Sequence, residues 1–325
     1  MRFLYFTDSH IRGTSPKSRI DDFFLAVQKK LIEIVELSKT YEVDYILHGG
    51  DLFDRPDVSI SVINEIAPIL QQFEVPLYSI SGNHDIYGHN PKTLHRTTLG
   101  LLNALGIVID LNYKSILLEK EDTCVQLSGS PYIYGIDREE HRHLYIVDKV
   151  DPKATFSIHL VHGFLMDKKF LAQVPHTLIS EIKETKADLT ICGHYHFGFK
   201  EQEIDGKKFI NPGSIVRISN STVEINRKPK VLLIDVNGNQ CEMKEIFLKS
   251  AKNGNEILDR TEIETHRFKR QEMLSFKETI ERTTNLNKVN FIDLITEIAT
   301  NYEIDKEVRE EALDRIARIQ EEGKN

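Results

Sequence analysis

Apolar residues along the chain fall into two textures. Up to about residue 105, short apolar runs alternate with longer segments in which apolar positions recur every three or four residues. Residues 3–6, 43–47 and 75–80 read as strands. Phe24, Val27, Leu31, Ile34 and Val35 put one apolar face on a helix over 21–38. Ile63, Ile66, Ile69 and Leu70 do the same over 59–73, and a third helix is expected over 92–105. Alternating strands and helices imply a parallel sheet covered by helices.

From residue 107 the runs shorten and helical spacing thins out. Segments 115–118, 124–127, 156–161, 189–192, 198–204, 208–210, 231–236 and 242–248 read as strands. They predict a second sheet packed on the first, with helices outside both. Gly254, within 252–255, marks a boundary between a domain over 1–250 and a charged, helical extension over 251–325. In that extension Phe291, Leu294, Ile295 and Ile298 form one stripe, and Val308, Ala312, Ile316 and Ile319 another. Asn290 and Asp305 stand as N-caps. The two stripes either pack on the first domain or dock a partner helix.

Composition narrows the classes. At 325 residues the chain exceeds the roughly 250–300 at which one core stops growing, which fits a large domain plus an appendage. A net charge of −8 argues against gripping nucleic acid by bulk electrostatics, though local basic loops and bound metal ions escape that count. Cys124, Cys192 and Cys241 are too few and too scattered for a disulfide framework, which favours a reducing compartment. No apolar run approaches the ~20 residues of a membrane span, so a cytoplasmic protein with no membrane partner is expected.

Five stretches carry the chemistry, each after an apolar run: Asp8-Ser9-His10, Gly50-Asp51, Gly82-Asn83-His84-Asp85, His162-Gly163 and Gly193-His194-Tyr195-His196. In extended backbone, residues i and i+2 share a side, so Asp8 with His10, and His194 with His196, can converge. The ligand candidates are Asp8, His10, Asp51, Asn83, His162, His194 and His196, with His84 and Asp85 left over. His159 competes with His162 on the same run, and His162 is preferred because it ends the strand beside Gly163. Oxygen and nitrogen donors without thiolate suit manganese, iron or zinc. Seven ligands serve two divalent ions if one carboxylate bridges, the arrangement used for displacement at phosphorus.

The order of these stretches resembles the calcineurin-like metallophosphoesterase superfamily over residues 1 to about 215. The resemblance implies a four-layer α/β/β/α sandwich. It also implies that Asp8, His10, Asp51 and His196 hold one metal, and that Asp51, Asn83, His162 and His194 hold the other. By the same resemblance His84 acts on the leaving oxygen and Asp85 orients His84.

Gly50-Asp51-Leu52-Phe53-Asp54 and Asn211-Pro212-Gly213-Ser214, followed by Arg217, are similar to SbcD-type nuclease subunits, including phage-encoded ones. That narrower likeness implies Mn2+ as cofactor, DNA as substrate, an SbcC-like coiled-coil ATPase partner and a possible homodimer. Asp54 stands where archaeal and eukaryotic relatives tend to carry a second catalytic histidine, so that role does not transfer. Lys92 and Arg96, in the loop 88–98, and Arg217 are the candidate phosphate contacts; a solvated helix start is the plainer reading of the loop. Tyr132, Tyr134 and Tyr195 are either base-stacking residues or buried tyrosines. The alternatives to a nuclease are a phosphodiesterase or phosphatase acting on nucleotides or small phosphoesters, and a catalytically silent scaffold.

Overall fold

A computed structural model describes residues 1–259 except Ala172, together with positions 261, 311 and 315. The chain divides into two compact units, Met1–Asp259 and Arg260–Asn325. The helices expected around 291–319 lie outside the described residues.

The first unit begins with β1 (Arg2–Phe6), α1 (Phe23–Thr40), β2 (Tyr45–His48), α2 (Ile60–Leu70), β3 (Leu77–Ser79), α3 (Thr98–Ala104) and β4 (Ile109–Asp110). There follow β5 (Ser115–Lys120), β6 (Thr123–Ser130), β7 (Phe156–Val161), β8 (Leu165–Met166), β9 (Thr177–Leu178), β10 (Leu189–Cys192), β11 (Phe199–Ile204) and β12 (Lys207–Asn211). The unit closes with α4 (Thr222–Asn226), β13 (Lys230–Asn237), β14 (Gln240–Phe247) and α5 (Gly254–Ile257).

Two six-stranded sheets result, in the orders β14-β13-β1-β2-β3-β4 and β11-β12-β10-β7-β6-β5. In the first, β1 to β4 are parallel, β13 runs antiparallel to β1, and β14 pairs antiparallel with β13 at the edge. The second repeats the plan, with β6, β7, β10 and β12 parallel and antiparallel β5 and β11 at its edges. The expected two-sheet α/β architecture is therefore present.

Alternation along β1 shows how the layers form. Phe3 and Tyr5 point into the core between the sheets, beside Leu127, Ile158, Leu160 and Ile191. Leu4 and Phe6 point the other way, against Phe23, Val27, Leu31 and Ile34 of α1 and Ile66 of α2. Asp22 starts α1, its carboxylate accepting from the Leu25 amide at 3.0 Å.

Two expectations need adjustment. The helix expected over 92–105 is split into a 3-10 turn, Pro91–Arg96, and α3, because Thr97 is extended and caps α3 by accepting from the Gly100 amide. Outside the second sheet, the apolar cover includes Ile136, Tyr145, Ile179 and Ile182. These come from loops and from 3-10 turns at Glu139–Tyr145 and Ile179–Glu181 rather than from α-helices, so the fourth layer is thin.

Candidate metal centre

The parallel strands of both sheets end at one rim. Residues 8–10, 51 and 82–85 follow β1, β2 and β3, whereas 162 and 194–196 follow β7 and β10. Ligands commonly bind at this rim of an open α/β sheet. The loops are zipped together: Asp8 N donates to Gly50 O at 3.0 Å, His10 N to Asp51 O at 3.0 Å and Ile11 N to Leu52 O at 2.9 Å.

Reaching that geometry strains the backbone. Asp8, His10, Asp51 and His194 all have positive φ, at 52°, 43°, 53° and 73°. Such angles cost free energy in non-glycine residues and cluster where function over-determines the fold. Gly50, at φ 98°, has no alternative residue, since a Cβ there would stand 2.3 Å from His162 Nδ1.

All seven expected ligand residues converge. Asp8, His10, Asp51 and His196 offer one set of donor atoms within 4.8 Å of one another, and Asp51, His162 and His194 a second. Asn83 joins the second set, with Oδ1 2.9 Å from His194 Nδ1. Asp51 is common to both.

His159, the competitor of His162 on the same run, is not among them. Its ring is held by Ser128 Oγ at 2.9 Å and Leu144 O at 2.9 Å. His48 is likewise structural, buried between Ser9 and Ser79 hydroxyls at 3.3 and 3.1 Å.

The donor set fits a pair of divalent cations. His162 donates Nδ1–H to Gly49 O at 2.7 Å, which fixes the tautomer and leaves Nε2 facing the centre. That Nε2 is buried without a hydrogen bond; Asp51 Oδ2 is 3.3 Å away, in ion-pair range but not aligned. His10 Nε2 faces His196 Nε2 at 2.9 Å, so two imidazole nitrogens must share a proton or a cation.

Electrostatics points the same way. Burial opposes charge at every one of these groups. At His162 it is outweighed by the Asp51 carboxylate, which with Asp8 lifts the imidazole to about 9. At Asp51 it is outweighed by His162, His10 and His84, which hold the carboxyl well below the usual range. At Asp8 burial wins and the carboxyl is raised. Burial, then the nearby His162 charge, lowers His194 to about 3, and burial and His10 push His196 well down. His194 and His196 are thus in the neutral, ligating form, whereas His162, raised by the carboxylates, would give up its proton to a bound cation.

Two expected roles are corrected by the geometry. Asp85 does not orient His84. Its carboxylate accepts from the amides of Gly82 at 2.9 Å, Phe53 at 2.9 Å and Leu52 at 3.3 Å, so it ties the 82–85 loop to the residues after Asp51. His84 is held instead by the Asp54 carbonyl, 2.7 Å from Nδ1, while its own amide donates to Asp51 Oδ1 at 2.8 Å.

Arg217 is no phosphate contact. It is 2 % exposed, and its guanidinium donates to the carbonyls of Arg227 and Lys252. Lys92 and Arg96 are exposed on the 3-10 turn, Arg96 lying over the Tyr87 ring at 5.9 Å.

The Asp85 correction gives a test. Asp85→Ala leaves three buried or part-buried amides short of an acceptor, at about 1–3 kcal/mol each if unsatisfied. We expect urea denaturation to show a loss of about 3 kcal/mol. Had Asp85 served only His84, the variant would be as stable as wild type and merely slower.

Sequence reasoning missed other supports. Asn211 Nδ2 donates to Tyr195 O at 3.0 Å, and Ser214 Oγ to Asp8 O at 2.7 Å, so the Asn211-Pro212-Gly213-Ser214 motif clamps two ligand loops. Asp137 holds the loop after His162, accepting from the Phe164 amide at 3.1 Å as well as from Tyr145 Oη at 2.5 Å and Thr177 Oγ1 at 3.0 Å. Asp54 pairs with Arg12 at 2.8 Å and lies 3.5 Å from His10 Nδ1. Tyr132 does line the centre, its ring 5.3 Å from that of His194.

Two mixed sheets with a shared-carboxylate, histidine-rich rim define a dimetal phosphoesterase fold. A structure of a dimetal phosphatase from Danio rerio superposes with a TM-score of 0.50, covering 78% of this chain and 97% of that one at 11% identity. The family described as "Calcineurin-like phosphoesterase superfamily domain" matches residues 1–239, and the chain belongs to that superfamily.

Among curated proteins it is similar to "Double-strand break repair protein MRE11" of Encephalitozoon cuniculi, 24% identical over 294 residues, covering 78% of this chain and 48% of the relative. It is also similar to "DNA double-strand break repair protein Mre11" of Methanosarcina mazei, 23% identical over 257 residues, covering 70% and 38% respectively. The chain thus spans half or less of the length of these relatives. No helix among the described residues is long and apolar enough to cross a membrane.

Proposed function

We propose that this chain is an SbcD-type nuclease, a two-metal phosphodiesterase that processes DNA ends together with an SbcC-like coiled-coil ATPase in the cytoplasm. The observation that carries the chemistry is the shared carboxylate: Asp51 belongs to both donor sets, with His84 bound to it through its amide. Asp8, His10, Asp51 and His196 would hold one ion, and Asp51, Asn83, His162 and His194 the other. Manganese suits this oxygen and imidazole set, and iron or zinc are the alternatives. Bound there, two divalent ions supply Lewis acidity at the phosphoryl oxygens and a nucleophile at neutral pH.

The chain's own contribution is positional. Asp51 and Asp8 fix the negative field at the rim, and Gly49 O sets the His162 tautomer. With Nδ1–H of His84 given to Asp54 O, its Nε2 is the ring atom left to serve a leaving oxygen. The double-strand-break repair relatives support DNA as the substrate. Lys92 and Arg96 remain the proposed phosphate contacts, and a homodimer would use α2 and α3, where Ile60, Leu101 and Leu105 are exposed. The net charge of −8 favours the second reading, a phosphodiesterase or phosphatase for nucleotides or small phosphoesters.

The two are separated by assaying the purified chain with Mn2+ on DNA ends, bis-p-nitrophenyl phosphate and cyclic nucleotides, alone and with its ATPase. Metal-dependent degradation of DNA is expected. DNA left intact in both settings, with small phosphoesters hydrolysed, would remove the nuclease reading. Deleting residues after Phe291 is expected to abolish ATPase binding while leaving hydrolysis of bis-p-nitrophenyl phosphate within about twofold, as separate surfaces require.

A further inference from the structure

α1 carries a lysine where its pattern calls for an apolar residue. Lys30 lies on the buried face with Phe23, Val27, Leu31 and Ile34, and is 3 % exposed. It makes no hydrogen bond or ion pair with any described residue. An unpaired buried ammonium is costly, and such groups normally find a counter-charge or lose their proton.

Lys30 lines a cavity of about 160 Å3 between α1 and residues 250–257, well over the ~30 Å3 share of one water. Ser250 lines the same cavity, and its Oγ is buried without a hydrogen-bond partner. Arg19, Lys29 and Lys252 add positive charge to the walls.

The acidic groups there are already engaged. Asp21 is paired with Arg19 through contacts of 2.6 and 2.7 Å, and Asp22 accepts from the Leu25 amide as the α1 cap. Behind the wall, Arg19 donates to the Arg217 carbonyl and Arg217 to the Lys252 carbonyl, and the buried Glu224 carboxylate is already taken by Arg227 at 2.9 Å, so cations there outnumber it.

We propose that this cavity is a binding site for a phosphate group, separate from the metal centre, with Lys30 and Ser250 as its buried donors and Lys29 and Lys252 at its mouth. Phosphate is the fitting class of anion. It brings close to two negative charges as the free ion and one as a backbone diester, with oxygens directed to several sides that can serve an ammonium and a hydroxyl at once; a carboxylate brings one charge and two coplanar oxygens.

The electrostatics agree. Burial and the nearby Arg19, Arg217 and Arg227 lower the Lys30 ammonium to about 7, with Asp21 the opposing influence. An oxyanion in the cavity would restore its full charge. Free phosphate and a nucleic-acid backbone phosphate share this chemistry, and the two are distinguished experimentally.

The test is calorimetric titration of the metal-loaded full chain with inorganic phosphate, against chloride at matched ionic strength. Wild type is expected to bind one more phosphate than Lys30→Met, while both hydrolyse bis-p-nitrophenyl phosphate within twofold of each other. Equal stoichiometry in the two proteins overturns the site, and equally tight binding of glutamate overturns the assignment to phosphate. Should Lys30→Met fail to fold, Ser250→Ala and Lys252→Ala decide: a fivefold or greater loss of phosphate affinity supports the site, and unchanged affinity overturns it. Displacement of phosphate by an uncleavable phosphorothioate oligonucleotide, in wild type alone, identifies the backbone as its source; no displacement identifies free phosphate.

Discussion

Asp51→Asn is expected to cost both metal sites together, because no other residue is common to the two donor sets. Its Oδ1 accepts from the His84 amide at 2.8 Å, while Oδ2 lies 3.3 Å from His162 Nε2 and 3.7 Å from His10 Nε2. Asparagine keeps the size and the Oδ1 acceptor, so the loop should hold. It removes the negative charge that faces both imidazoles, and its amide hydrogens would point where cations bind. Metal analysis is expected to fall from two ions per chain to less than one. Loss of several kcal/mol of charge stabilisation corresponds to a drop of about 10³-fold or more in turnover of bis-p-nitrophenyl phosphate. Near-normal metal content and turnover in a folded variant would take Asp51 out of the bridging role.

The ligands of this centre were legible because each sits one to four residues past an apolar strand, so strand ends and chemistry share one local signal. Helical faces were legible for a similar reason: Val27, Leu31, Ile34 and Val35 on α1, and Ile66, Ile69 and Leu70 on α2, are buried as their spacing requires. What escaped was set by backbone atoms and by loop direction. The acceptor for His84 is a carbonyl, at Asp54, and a carbonyl has no residue-type signature. Asp85 is adjacent to His84 in sequence, yet its carboxylate turns to the Gly82 and Phe53 amides.

Arg217 shows the opposite error, in which proximity to a motif suggested substrate while the side chain turned inward to hold two carbonyls. Lys30 was passed over because a periodicity reading scores the apolar positions of a helix and ignores the one charged residue among them. The outer cover of the second sheet was missed as well, since 3-10 turns and loops have no 3.6-residue repeat to detect.

His84→Ala is the variant that separates chemistry from metal loading. His84 lies outside both two-ion donor sets, although its ring, His10 and Asp54 form a third close group of possible ligands. Within that group Asp54 is already paired with Arg12 at 2.8 Å, and His84 Nδ1 is committed to the Asp54 carbonyl. Metal content should therefore stay at two ions per chain, whereas loss of one ion would make His84 a ligand. If Nε2 delivers a proton to the leaving oxygen, the deficit depends on how badly that oxygen needs one. A sugar alkoxide leaving from DNA needs it, and turnover should fall by about 10²–10⁴-fold. p-Nitrophenolate leaves well unprotonated, so bis-p-nitrophenyl phosphate should lose far less. An equal deficit on both substrates would mean that His84 only positions the phosphate or stabilises charge on it, and the proton would have to come from elsewhere.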